Sequence, residues 1–151
     1  ERFGYLDSSQ RVRTQLYEQV LTAASQAPAT GYGYGTFEPG FRPFKDFPLS
    51  GLTWSLAHNS YLEFYFGTGL YGLVIIICAF VCIFVGLVKG AFLRAHDTAY
   101  LISAVSALTI VGLHALTDFS IQMPAMGAAL VFVAGLGYAR IIVDTKRRSR
   151  P

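Results

Sequence analysis

The chain has 151 residues, of which 53% are hydrophobic and only 14% charged. Soluble domains carry about 25% charged residues, so the composition argues against an ordinary soluble domain and for a lipid environment. The net charge of +3 gathers near the C-terminal end, where anionic membrane lipid is the expected partner rather than nucleic acid.

Asp7-Ser8-Ser9 predicts a helix start, and Pro28 followed by Gly31 predicts its end. At about 100° per residue, Val12, Leu16, Tyr17, Val20, Leu21, Ala23, Ala24 and Ala27 fill one half of the wheel, which makes the helix amphipathic. Arg13 falls near the middle of that apolar half, and Arg11 does not. A guanidinium on a buried face must find an anion or carbonyl groups. The alternative is that Arg13 snorkels to lipid headgroups from a helix lying in the interface.

Gly31, Gly33 and Gly35 follow in the run G-Y-G-Y-G-T-F. They permit positive φ, and successive N–H groups there can form a nest for an anion; a plain turn after Pro28 would need no ligand. Glu38 to Gly51 is rich in Pro, Gly and aromatics and reads as an irregular loop at the bilayer interface. Its aromatics, Phe41, Phe44 and Phe47, with Trp54 beyond, could also stack on a sugar ring.

Ser60-Tyr61-Leu62-Glu63 matches the S-x-x-E capping box and starts a helix at Tyr61. His58 and Asn59 then sit just ahead of a helix N-terminus, where free N–H groups and the dipole favour phosphate. A histidine so placed can act as a general base near neutral pH, and Glu63 is explained as a cap. Gly67 and Gly69 are candidates to kink the helix.

No charged residue occurs between Phe64 and Val88. The run Leu70–Val88 alone approaches the roughly 20 residues a span requires. Two further apolar runs, richer in Ala, Gly and Ser, suit close helix packing in lipid, which gives three spans at about 61–88, 99–117 and 124–143. Lys89 and Arg94, then Lys146, Arg147, Arg148 and Arg150, place the loop after span one and the tail on the cytoplasmic side. Residues 1–60 and the turn Thr117–Pro124 are then external. Cys78 and Cys82, one turn apart in span one, read as packing residues. His114 and Asp118 are spaced i, i+4 at the outer end of span two, where they form either a functional pair or a mutually satisfied one. His96 reads as solvated. The chain opens on Glu1 and reads as the C-terminal part of a longer multi-span protein.

Arg13, Tyr17, Pro28, the glycine run, A-H-N-S-Y-L-E, Gly67, Gly69 and Gly72, then H-A-L-T-D-F and Pro124, resemble in order and spacing the O-antigen ligase and polymerase superfamily of bacterial envelope glycosyltransferases. Two departures are visible: Tyr17 stands where many members carry Trp, and about the first two-thirds of a member has no counterpart here. The resemblance implies a multi-pass inner-membrane enzyme whose catalytic loop is periplasmic. Such an enzyme moves glycan from an undecaprenyl-diphosphate carrier to a saccharide or lipid A-core acceptor, with no cofactor and no metal. It implies that Arg13 serves the diphosphate and His58 activates the acceptor.

The expectation is therefore an all-α integral membrane protein. Residues 1–60 form a periplasmic loop region with an amphipathic helix, and 61–151 hold three transmembrane helices and a basic tail. His58 and Arg13 are the expected catalytic residues. Gly31, Gly33, Gly35, Asn59, His114 and Asp118 are expected to bind substrate, and membrane lipid surrounds the spans. The expected activity is of the O-antigen ligase type, with a repeat-unit polymerase of the same superfamily as the alternative. The rival from another class, a transporter or flippase fragment, expects polar residues near mid-membrane; here they cluster at the outer ends.

Overall fold

A computed structural model describes residues 2–93 and 98–148, with side chains over 10–93 and 98–143. Arg94, His96 and Arg150 lie outside the described residues, as do the side chains of Lys146, Arg147 and Arg148. Among the described residues the chain is all helical, in the order α1 (Arg2–Ser25), α2 (Phe37–Phe41), α3 (Ser60–Phe92), α4 (Thr98–His114) and α5 (Pro124–Arg148). Two short 3-10 turns, Arg42–Phe44 and Ser120–Gln122, complete the set. The chain divides into two units, 1–75 with 115–119, and 76–114 with 120–151.

In the first unit, α1 starts well before the expected Asp7 and ends ahead of Pro28, as expected. Leu16, Val20, Ala23 and Ala24 are buried on one face of it. They join Phe37, Phe41, Leu49, Ala57 and Phe66 in a single core. Phe66 is its centre, with ring centroids 4.7 Å from Tyr32 and 5.3 Å from Phe37. The stretch expected as an irregular interfacial loop is instead partly helical. Phe41 is buried in this core and Phe44 packs against it, while Phe47 stays 90% exposed. Burial of two aromatics outweighs the Pro and Gly content that suggested a loop.

The glycine run docks on α3. Tyr32 and Gly33 donate their N–H groups to the Phe66 and Gly67 carbonyls, each at 2.9 Å. Those carbonyls are at hand because α3 is kinked at Gly69, where φ is 68° and ψ −175°. A Cβ on Gly69 would lie 2.0 Å from the Ala29 carbonyl oxygen, and one on Gly31 would lie 2.5 Å from the Gly67 backbone. Two backbones meet here with room for no side chain. Gly69→Ala therefore combines a strained φ with a backbone clash, and we expect a loss of about 2–4 kcal/mol. The check is thermal unfolding of the purified full-length protein; an unchanged midpoint would overturn this account of the kink.

In the second unit, Leu87, Leu101, Ala104 and Leu108 form the core. Glycine notches let the helices approach: Gly90 faces Ile141 and Leu101, and Gly137 faces Leu87 and Ala104. Tyr138 donates to the Cys82 or Ile83 carbonyl at 3.4 Å, and the Arg140 guanidinium lies 4.6 Å from the Tyr100 ring centroid. Cys78 and Cys82 are free thiols with exposed side chains, so neither packs inside the chain as expected.

Two helices are long and apolar enough to cross a membrane, Ser60–Phe92 and Pro124–Val143. In each, only 6% of the most apolar stretch is buried, which suits contact with lipid or other membrane helices and not the core of a soluble protein. α4 is apolar but has 17 residues, which at 1.5 Å per residue gives about 26 Å, a little under the hydrocarbon thickness.

Candidate active site around His58

Three segments of the first unit converge on His58: α1, the loop ahead of α3, and residues 115–119. The Tyr17 hydroxyl donates to the His58 carbonyl at 2.8 Å. The His58 ring is held edge-on between Trp54 at 5.9 Å and Phe119 at 5.4 Å. Its backbone adopts φ 52°, a left-handed conformation that is uncommon for a residue with a side chain. Such strain persists only where surrounding contacts over-determine it, and it concentrates at functional sites. The contacts here are the Tyr17 hydrogen bond and the two flanking rings.

Asn59, and not Ser60, caps α3. Its Oδ1 accepts from the Leu62 N–H at 3.1 Å, and its Nδ2 donates to the Leu116 carbonyl at 2.8 Å. Glu63 does reach back, but to the Ala57 N–H at 3.0 Å. Ser60 is drawn away from the capping role by the 115–119 segment: its N–H donates to the Ala115 carbonyl and its hydroxyl to the Asp118 carbonyl. Asn59 thus fastens two segments of the site frame, and its amide is engaged at both ends by protein.

The same accounting corrects the expected anion nest. Gly31, Gly33 and Gly35 all take positive φ. However, the Gly31 N–H bonds the Pro28 carbonyl and the Gly33 N–H bonds Gly67. Those two N–H groups are already spent on the protein, so at Gly31 and Gly33 the loop packs against the α3 kink and presents no free donor to a phosphate. The α3 N-terminus is similarly committed at Ser60 and Leu62.

Arg13 is left as the cation of the site. It lies on the same stripe of α1 as the buried Val20 and Ala24, yet it is exposed. Among the described residues no hydrogen bond or ion pair holds its guanidinium. Burial raises the pKa of the Tyr17 phenol above the usual tyrosine value; the Arg13 charge opposes this and that of Asp118 adds to it. Tyr17 therefore stays protonated at neutral pH and keeps its grip on His58. Arg13 and Asp118 are the two charges acting on the same phenol.

The helix face that His114 and Asp118 were expected to share does not extend as far as Asp118. α4 ends at His114, so the i, i+4 spacing no longer implies a shared face. His114 Nδ1 is 2.5 Å from the Ser120 hydroxyl, and Asp118 Oδ1 accepts from the Phe119 N–H at 2.8 Å. Trp54, expected as a sugar-stacking aromatic, and Phe119, to which the sequence assigns no role, are the two rings that flank His58. The buried Trp54 indole N–H has no partner among the described residues. No group of three or more His, Cys, Asp or Glu gathers among the described residues.

The exopolysaccharide production protein ExoQ of Rhizobium meliloti (strain 1021) is 26% identical over 149 residues. That stretch is 95% of this chain and 33% of the relative, so the chain spans about a third of the relative's length. No solved structure matches. The sequence pattern of the O-antigen ligase family matches residues 2–77, a stretch that holds Arg13, the glycine run and His58-Asn59. With its apolar, uncovered helices, this chain is that of a bacterial membrane protein and belongs to the O-antigen ligase family.

Proposed function

We propose that the chain carries the catalytic loop region and last spans of an inner-membrane glycosyltransferase that uses a polyprenyl-diphosphate-linked glycan, with residues 1–60 on the periplasmic side. The observation that carries this reading is the convergence, through Tyr17, of an exposed Arg13, unpaired among the described residues, with a strained, ring-clamped His58. Arg13 binds the diphosphate and stabilises the charge that develops on it as the glycosidic bond breaks. His58 takes the proton of the acceptor hydroxyl. The hydroxyl oxygen bonds to the anomeric carbon, the bonding pair leaves with the diphosphate oxygen, and the anomeric centre inverts. Tyr17 and Asn59 hold the frame, and Asp118, whose charge acts on the same Tyr17 phenol as that of Arg13, meets a substrate hydroxyl.

The acceptor is either a lipid A-core sugar, which makes a ligase, or the next lipid-linked repeat, which makes a polymerase. The likeness to a protein of exopolysaccharide production favours the polymerase. The test is purified full-length protein in proteoliposomes, given undecaprenyl-diphosphate-linked glycan with and without core acceptor. We expect transfer that continues at the same rate in excess EDTA, since a guanidinium can neutralise the diphosphate without an ion. No transfer with either acceptor would overturn the reading. Activity lost in chelator and restored by magnesium would overturn the metal-free part and point to a carboxylate such as Asp118 as ligand.

A further inference from the structure

On the far side of α1 from Arg13 lies a groove of about 440 Å³, lined by Glu18, Gln19, Thr22, Gln26, Phe44 and Asp46 with Pro43 at its edge. At about 100° per residue, Glu18, Thr22 and Gln26 stand well over 120° around the helix from Arg13, so the groove is separate from the His58 site. It belongs wholly to the first unit. We propose that it is a second glycan subsite, holding a neutral or amino-sugar stretch of the chain being transferred; this rests on the glycosyltransferase reading.

The lining carries the argument. Glu18 and Asp46 are acceptor-only carboxylates, and among the described residues neither has a basic partner. Gln19 Oε1 accepts from the Asp46 N–H at 3.1 Å, which joins the two walls and leaves the amide's donor end for a ligand. The Thr22 hydroxyl gives its proton to the Glu18 carbonyl at 2.9 Å, so toward the groove it offers an acceptor. Planar amides and carboxylates suit the paired hydroxyls of a sugar ring, which donate and accept together. Phe44 supplies an apolar wall and is fixed in place by Tyr32, with ring centroids 5.9 Å apart. A pocket with a few convergent polar groups and an aromatic wall has the make-up of a small-ligand site. Two unpaired carboxylates select against uronic acids and phosphorylated sugars by like-charge repulsion. With no third His, Cys, Asp or Glu gathered here, the lining suits sugar hydroxyls better than a metal ion.

Thr22 and Gln26 are exposed, so Thr22→Trp and Gln26→Trp fill the groove without touching the core. In the purified full-length protein each should raise the KM for lipid-linked glycan about tenfold with kcat unchanged, as expected for the loss of one or two hydrogen bonds. Saturation-transfer NMR should show oligosaccharides released from the strain's own surface polysaccharide binding to the wild type and not to these variants. A galacturonic acid trimer should not bind the wild type and should gain binding in Glu18→Gln. Groove-filled variants that bind and transfer like the wild type, while Arg13→Ala is inactive, would overturn the subsite and leave the glycosyltransferase reading standing. An Arg13→Ala protein that transfers normally would instead strike at that reading itself.

Discussion

Arg13→Ala in the full-length protein is expected to lower glycan transfer by about a thousandfold or more, the scale seen when a principal stabiliser of transition-state charge is removed. The expectation rests on elimination among the anion-binding groups of this site. The glycine-run N–H groups at Gly31 and Gly33 are bonded within the protein, and the α3 N-terminus is committed at Ser60 and Leu62. The Arg13 guanidinium is exposed and unpaired among the described residues. Arg13→Lys should recover little, because a point charge cannot reproduce a bidentate grip on phosphate. Arg11→Ala should be nearly silent, since Arg11 lies off the stripe that leads to the site. The measurement is initial rate with lipid-linked glycan, alongside expression and membrane insertion of each variant. Equal losses from Arg11→Ala and Arg13→Ala would mean that the helix acts only as an electropositive surface.

What could be read in the sequence was local. The end of α1 followed from Pro28, the kink of α3 from its glycines, and the long apolar helices from the runs themselves. The stripe that singled out Arg13 followed from helical periodicity. What could not be read depends on partners distant in the chain. Asn59 and Ser60 are both good caps, and the choice between them falls to Ala115 and Asp118, which engage Ser60. Positive-φ glycines fit an anion nest and a packed loop equally well until the Pro28 and Gly67 carbonyls claim the Gly31 and Gly33 N–H groups. The His114–Asp118 spacing implied one face only if the helix continued, and it stops at His114. Trp54 was legible as an aromatic that could stack on a sugar, but its contact with the His58 ring is set by a backbone twist that sequence does not announce.

That twist makes His58 the position where a conformational role and a chemical one can be separated. Glycine and asparagine both tolerate φ near 52° better than most residues do. His58→Gly and His58→Asn should therefore keep the fold, with relief of the backbone strain offsetting the lost ring contacts, because Tyr17 bonds the backbone carbonyl and not the ring. His58→Ala keeps the strain and loses the two edge-on ring contacts, so it should be the least stable of the three. If the imidazole is the base, all three variants should lose transfer by about 10²–10⁴-fold regardless of that stability order. If His58 serves only to turn the chain into α3, activity should follow stability instead, with glycine and asparagine active and alanine impaired. Measuring rate and midpoint on the same preparations separates the two. A His58→Gly protein that transfers glycan at the wild-type rate would end the assignment of His58 as a base.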